Sequence, residues 1–143
     1  MVLRIQSQTR RSVFVMRSSV LGSEIVLLVG HGSRSELWFE SIDACREVVK
    51  RALEPTRVEI AYLDHHPARF REVLRTLLTE TKRIAIVPLL MAPGGHFLKD
   101  IGDHLAELMA EEPSLKLRLL PTLTEFDEVK SALASAVLSK LSA

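Results

Sequence analysis

The sequence predicts an α/β fold, a four-stranded parallel sheet with helices on both faces. Three features carry this. Apolar runs of strand length alternate four times with stretches whose apolar residues recur at helical spacing. The first run, Ile25–Val29, is apolar without interruption, the pattern of a strand covered on both faces. Polar clusters rich in glycine and histidine follow the runs, at the carboxyl ends where open α/β sheets collect their ligands. Right-handed crossovers give an expected strand order of 2-1-3-4, with the reversal between strands one and three.

In chain order, Ile25–Val29 stops at Gly30-His31-Gly32-Ser33-Arg34, where the two glycines allow a sharp turn. Trp38, Ile42, Cys45, Val49 and Leu53 then mark a helix over 36–53, closed by Pro55. Arg57–Leu63 is the second strand, ending in Asp64-His65-His66-Pro67. Phe70, Val73, Leu74, Leu77 and Leu78 mark a helix over about 67–80, with Pro67 suited to its first turn. Arg83–Leu90 is the third strand. Pro88 cannot donate to a ladder, so pairing is expected to weaken near Val87 and Leu89–Met91 to continue as irregular extended chain. Pro93-Gly94-Gly95 is a turn, His96 follows it, and a helix over about 99–110 uses Ile101, Leu105 and Leu108. Leu115–Leu120 is the fourth strand, and Phe126, Val129, Leu133, Val137 and Leu141 give a closing helix.

The 143 residues suit one α/β domain, residues 24–143, behind an Arg- and Ser-rich extension over residues 1–23. That extension carries Arg4, Arg10, Arg11 and Arg17 and no acid. Transit segments share this composition, as do disordered tails and short extra strands, and a mistaken start codon would also account for it. Removing its four bases from the 19 leaves 15 against 18 acids, too little positive charge for a nucleic-acid partner. The single Cys45 excludes an internal disulfide and fits a reducing, cytoplasmic setting. No apolar stretch reaches the roughly 18–20 residues that span a membrane.

The expected topology brings His31 and His96, which follow strands one and three, to one crevice. Two imidazoles there can hold a divalent metal or move protons; the plainer alternative is that His31 bonds its own loop and His96 caps or packs. Asp64, at the end of strand two, is the candidate carboxylate, and an Asx turn before Pro67 accounts for it equally well. Adjacent side chains point apart, so at most one of His65 and His66 joins such a site. Asp100 and His104 share a helix face and can reach one ion together, although Asp100 also suits a first helical turn. Arg34, Lys99 and Arg69 are candidate partners for an anionic substrate, or plain surface charge. Ser33 reads as a helix cap, because G-H-G-S departs from the nucleophile elbow G-x-S-x-G. Phosphate-loop and dinucleotide fingerprints are missing from the same turn.

The segments VGHGSR (Val29–Arg34), Leu63-Asp64 with Pro67, and IVPLLMAPGGHFLKDI (Ile86–Ile101) together resemble the short class II sirohydrochlorin chelatases of the CbiX type. The likeness covers about residues 25–123. It implies a chelatase-like, flavodoxin-like half working as a homodimer, which inserts a divalent metal (Co2+, Ni2+ or Fe2+) into the tetrapyrrole sirohydrochlorin without ATP or a permanent cofactor. It also implies metal and proton-transfer roles for His31 and His96, a catalytic acid at Asp64, and substrate contacts from Ser33, Arg34 and Lys99. His65-His66 departs from the small or acidic residues usual in that family. A carrier using the same pocket without turnover is the alternative in the binding class. A small hydrolase built on Ser33 is the third, weakened because no convincing acid and base follow it.

Overall fold

The computed structural model describes residues 24–142, and the readings of residues 1–23 fall outside it. Eight elements alternate: β1 (Ile25–Gly30), α1 (Glu36–Leu53), β2 (Val58–Tyr62), α2 (Phe70–Leu77), β3 (Arg83–Pro88), α3 (His96–Glu111), β4 (Lys116–Leu119) and α4 (Asp127–Leu141). A 3-10 turn, Leu123–Glu125, precedes α4. The strands pair in parallel in the order β2-β1-β3-β4, as the crossover argument expects.

Alternation along the strands sends Leu27, Val29, Ile84 and Ile86 to one face of the sheet and Val26, Leu28, Val58 and Ala85 to the other. The first face is closed by Phe70, Leu74 and Leu77 of α2 and by Ile101 and Leu105 of α3, all buried. At about 1.5–3 kcal/mol per buried large side chain, most of the hydrophobic stabilisation sits on this face. Among the described residues only α1 covers the second face, through half-buried Val49 and Leu53, and none of its residues is fully buried. Its packing is against β2 at the sheet edge, so its stripe meets the core on one side only. Cys45, expected to point inward, is exposed for that reason.

Three boundaries differ from the sequence expectation. Pairing persists to Pro88, which stands opposite Val29, and only then does the chain leave the ladder. The Leu89 amide donates to Val29 (2.8 Å), so alternation turns Pro88's missing donor toward β4, which has ended at Leu119. Helix α2 starts at Phe70 rather than Pro67, because the chain after β2 folds back and Tyr62 bonds the Ala68 carbonyl (2.9 Å). Helix α3 starts at His96, which makes that histidine its first residue.

The closing helix is present, but its expected packing is not: every residue of α4 is exposed. Within the chain it packs on the preceding 3-10 turn. A capping box fixes that turn, with buried Thr122 bonded through its amide and hydroxyl to Glu125 Oε2 (both 2.7 Å).

Candidate functional site

Strand β1 ends where its neighbours leave no room for side chains. A Cβ on Gly30 would stand 3.1 Å from both Trp38 Cη2 and Tyr62 Cδ1, and one on Gly32 would stand 1.9 Å from the Asp64 carbonyl oxygen. Gly32 also has φ +100°, a left-handed conformation that glycine adopts without steric cost. The carbonyls of Gly30 and His31 accept the amides of Leu63 (3.0 Å) and Asp64 (2.9 Å), so the β1–β2 alignment continues past both strands. These contacts lock His31 and Asp64 backbone to backbone.

The His31 ring is half-buried, with Nδ1 3.3 Å from the Gly32 carbonyl. It packs edge-to-face with Phe97, centroids 4.5 Å apart and planes at 86°. Phe97 follows His96 at the start of α3, and α3 leaves β3, the neighbour of β1. The two histidines therefore lie at the same end of adjacent strands, His96 exposed and His31 packed on the residue beside it. Phe97 is a candidate site residue that strand and helix periodicity does not single out; its place directly after His96 is the signal.

Asp64 Oδ1 accepts from the His65 amide (2.8 Å) and from Arg69 Nη1 (2.9 Å), while Oδ2 lies 3.4 Å from His65 Nε2. The His65 amide above all, and then Arg69, hold this carboxyl below its ordinary value of 3.8, so it remains an anion rather than a proton acceptor near neutrality. His65 adopts a left-handed φ of 55° beside it. His66 turns away: its ring lies on Tyr62 (4.4 Å) and Phe39 (5.1 Å), and its Nδ1 accepts the Ala68 amide (3.0 Å). His66 thus holds the turn, and only His65 remains near the crevice, in keeping with the expected divergence.

The remaining predicted residues divide. Arg34 is exposed just past the turn. Ser33 Oγ accepts the Ser35 amide (3.1 Å), two residues ahead of the N-cap at Ser35, so Ser33 shapes the entry to α1 and is not itself the cap. Lys99 is bonded to Asp103, which raises its pKa. His104 turns to Arg71 (3.3 Å) and Glu107 (3.9 Å) rather than pairing with Asp100. Arginine only donates, so the His104 nitrogen facing it is the acceptor of a neutral ring. Burial first, and then the Arg71 charge, push the His104 pKa below 6.5. Among the described residues, no three His, Cys, Asp or Glu side chains are grouped as a metal site.

Phe97, which packs on His31, also lines a cavity of about 550 Å3 between the starts of α2 and α3. Arg69, Arg71, Asp100 and Phe97 line it above Phe70 and Ile101. Its two arginines stand against two carboxylates, Glu72 and Asp100, so its rim is of mixed charge, and its aromatic and aliphatic floor suits a flat apolar ring. Arg71 joins the site only through the packing of α2 against α3, which its surface-like sequence position conceals.

The sequence profile of the CbiX family matches residues 25–140. A sirohydrochlorin cobaltochelatase of Methanococcus aeolicus is 30% identical over 90 residues, 62% of this chain and 63% of that protein. One of Sulfolobus acidocaldarius is 34% identical over 83 residues, 57% of this chain and 66% of its own length. The match thus spans a little under two thirds of these relatives. Among solved structures, a cobalamin biosynthesis CbiX protein of Marinobacter aquaeolei superposes with a TM-score of 0.69 at 24% identity, over 83% of this chain and 98% of the other. At that identity it speaks for the fold alone. The sirohydrochlorin chelatase SirB of Bacillus subtilis subspecies spizizenii, in complex with cobalt, gives 0.59 at 26% identity, over 69% of this chain and 43% of that one. With most of its length matched by the profile, and with the sheet order and the His31 turn already in place, this chain belongs to the CbiX family.

Proposed function

We propose that this chain inserts a divalent metal ion, Co2+ first and Ni2+ or Fe2+ as alternatives, into sirohydrochlorin, acting as a cytoplasmic homodimer without ATP. The observation that carries the reading is the His31 ring, held at the end of β1 against Phe97, which follows His96 directly and itself lines the cavity that Arg69 and Arg71 share with Glu72 and Asp100. The likeness to cobaltochelatases supports the same substrate class.

Metallation replaces two pyrrole N–H protons with one divalent ion, so the site must steady the ion and accept two protons. An imidazole nitrogen can bind a metal or take a proton, not both at once, which favours two histidines over one. His31 is held by its turn and by Phe97, whereas His96 starts a helix on the exposed rim. In our reading His31 meets the ring nitrogens, and His96 delivers the ion and removes protons to solvent. Asp64, kept anionic by His65 and Arg69, offsets charge on the arriving cation without itself taking a proton. Arg69 and Arg71, with Arg34 at the rim, are placed to pair with substrate carboxylates. Lys99 and Arg69 contribute less than Arg71, since Asp103 and Asp64 already hold them.

The test is the absorbance change of sirohydrochlorin with cobalt(II), nickel(II) and iron(II) under anaerobic conditions. Wild type should turn over many times per site, and His31→Ala and His96→Ala should each lose that rate. A single equivalent of metallated product per site, after subtraction of the uncatalysed rate, would instead identify a carrier.

A further inference from the structure

Two of the cations near the cavity are already committed to carboxylates of this chain, Arg69 to Asp64 (2.9 Å) and Lys99 to Asp103. Arg71 is held differently. It lines the cavity at the start of α2, and its Nη1 lies 3.3 Å from His104 Nδ1. Among the described residues it forms no ion pair, either with Glu72 and Asp100 of the rim or with any other carboxylate. Arginine carries five donors and no acceptor, so a bond to one imidazole nitrogen leaves most of the guanidinium, and all of its charge, for a ligand.

His104 stands behind this lining, one turn along α3 from Asp100, with its side chain only 16% exposed and its ring edge-to-face with Phe70, centroids 6.4 Å apart. Phe70 is buried and directly precedes Arg71, so the packing of α2 on α3 sets ring and guanidinium together. The charges that face the ring are Arg71 and Arg75 from α2 and Glu107 from its own helix, while neighbouring Asp103 is held by Lys99. Two partners compete for Nδ1, and they require opposite states of it. Arg71 only donates and needs a bare nitrogen, whereas Glu107 Oε2, 3.9 Å from the same atom, can bond it only when it carries a proton. A neutral ring with its proton on Nε2 therefore engages Arg71, and a protonated ring repels Arg71 and favours Glu107. Burial, and then the Arg71 charge, keep the ring neutral to a pH below the ordinary 6.5.

We propose that His104 is a positioning residue for the substrate: its bare Nδ1 holds the Arg71 guanidinium at the cavity to receive a tetrapyrrole carboxylate, and protonation turns that nitrogen to Glu107 and releases Arg71. This rests on the sirohydrochlorin reading above, which supplies the carboxylate. A side chain ordered before the ligand arrives does not have to be ordered by it, so the neutral ring favours binding. The direction with pH follows: affinity is full while His104 is neutral and declines as pH falls through its lowered value. His104 thereby tunes binding from outside the metal and proton-transfer residues.

The experiment joins imidazole nitrogen NMR to the binding of metal-free sirohydrochlorin, followed by its fluorescence, for wild type, His104→Gln, His104→Leu, Arg71→Met and R71M/H104L. Glutamine keeps an acceptor and does not titrate, whereas leucine offers neither property; far-UV circular dichroism checks folding. NMR should find the Nε2–H tautomer of His104 near neutrality, with a pKa that rises in Arg71→Met. About one pH unit above the wild-type midpoint, His104→Leu should bind about three- to tenfold more weakly than wild type, the cost of ordering one long side chain, and His104→Gln within about twofold of it. About one unit below the midpoint, wild type should weaken toward the level of His104→Leu while His104→Gln changes little. In R71M/H104L the second substitution should add nothing to the first. An Nδ1–H tautomer, a His104→Gln as weak as His104→Leu, parallel pH profiles for wild type and His104→Gln, or an equal loss from His104→Leu with and without Arg71 would each overturn the positioning role while sirohydrochlorin still binds wild type. A wild type that binds no sirohydrochlorin would overturn the proposed function and this role together.

Discussion

Gly32→Ala tests the construction of the His31 turn, and Gly94→Ala is its internal control. Both glycines have positive φ, +100° and +112°, so an alanine at either position is strained by about 1–3 kcal/mol. They differ in surroundings: a Cβ at Gly94 meets nothing within 4 Å, whereas at Gly32 it lies 1.9 Å from the Asp64 carbonyl oxygen. That oxygen belongs to backbone and must retreat beyond 3.0 Å, which opens the 2.9 Å bond from Asp64 to His31 and loosens the 3.0 Å bond from Leu63 to Gly30. At about 1 kcal/mol for each bond, Gly32→Ala should cost about 2 kcal/mol more than Gly94→Ala. For a domain of this size the difference corresponds to about 6–8 °C in Tm. Thermal unfolding of both variants by circular dichroism gives the comparison, and metallation rates should fall with Gly32→Ala because the His31 backbone moves with the turn. Equal Tm losses would refute the claim that contact with Asp64, rather than backbone conformation, makes Gly32 obligatory.

Further outcomes follow from the same geometry. Leu74→Ala, at a fully buried site under α2, should cost about 2–5 kcal/mol, and Val49→Ala, half-buried on α1, about 1 kcal/mol; similar urea midpoints would deny the asymmetry between the faces. Arg69→Gln should raise the Asp64 titration but leave it below 3.8, since the His65 amide is the larger cause; carboxyl NMR reads this, and full recovery to 3.8 would contradict it. His104→Gln should remove a pH dependence. With its folded pKa below 6.5, the unfolded chain binds the extra proton first, so the His104 contribution is complete above pH 6.5 and declines as pH falls through the folded value. Urea unfolding on either side of pH 6.5 should therefore show a shallower decline for the variant, and unchanged slopes would count against the burial of that ring.

Much of the candidate site was legible before folding was considered in three dimensions. Strand-end placement and crossover handedness were enough to bring His31 and His96 to one end of adjacent strands and Asp64 beside β1. Side-chain partnerships were not legible in this way. Asp64 is engaged by Arg69 and His65, Lys99 by Asp103, and His104 by Arg71, because loops and helix starts converge from parts of the chain whose spacing carries no period. The cavity, likewise, depends on how α2 and α3 lie against each other.

What the linear chain determined is the pattern that local physics reads: alternating strands and helices, their order, and the glycine turn that places His31. Each of these follows from hydrophobic periodicity and backbone sterics over a few residues. Tertiary structure alone decided how far each apolar stripe is used. Helices α2 and α3 bury theirs, α1 only half, and α4 none, although all four carry apolar residues at helical intervals. Periodicity states that a helix has a side to hide, whereas the surface that hides it is set by which strand the helix crosses and how its root is held.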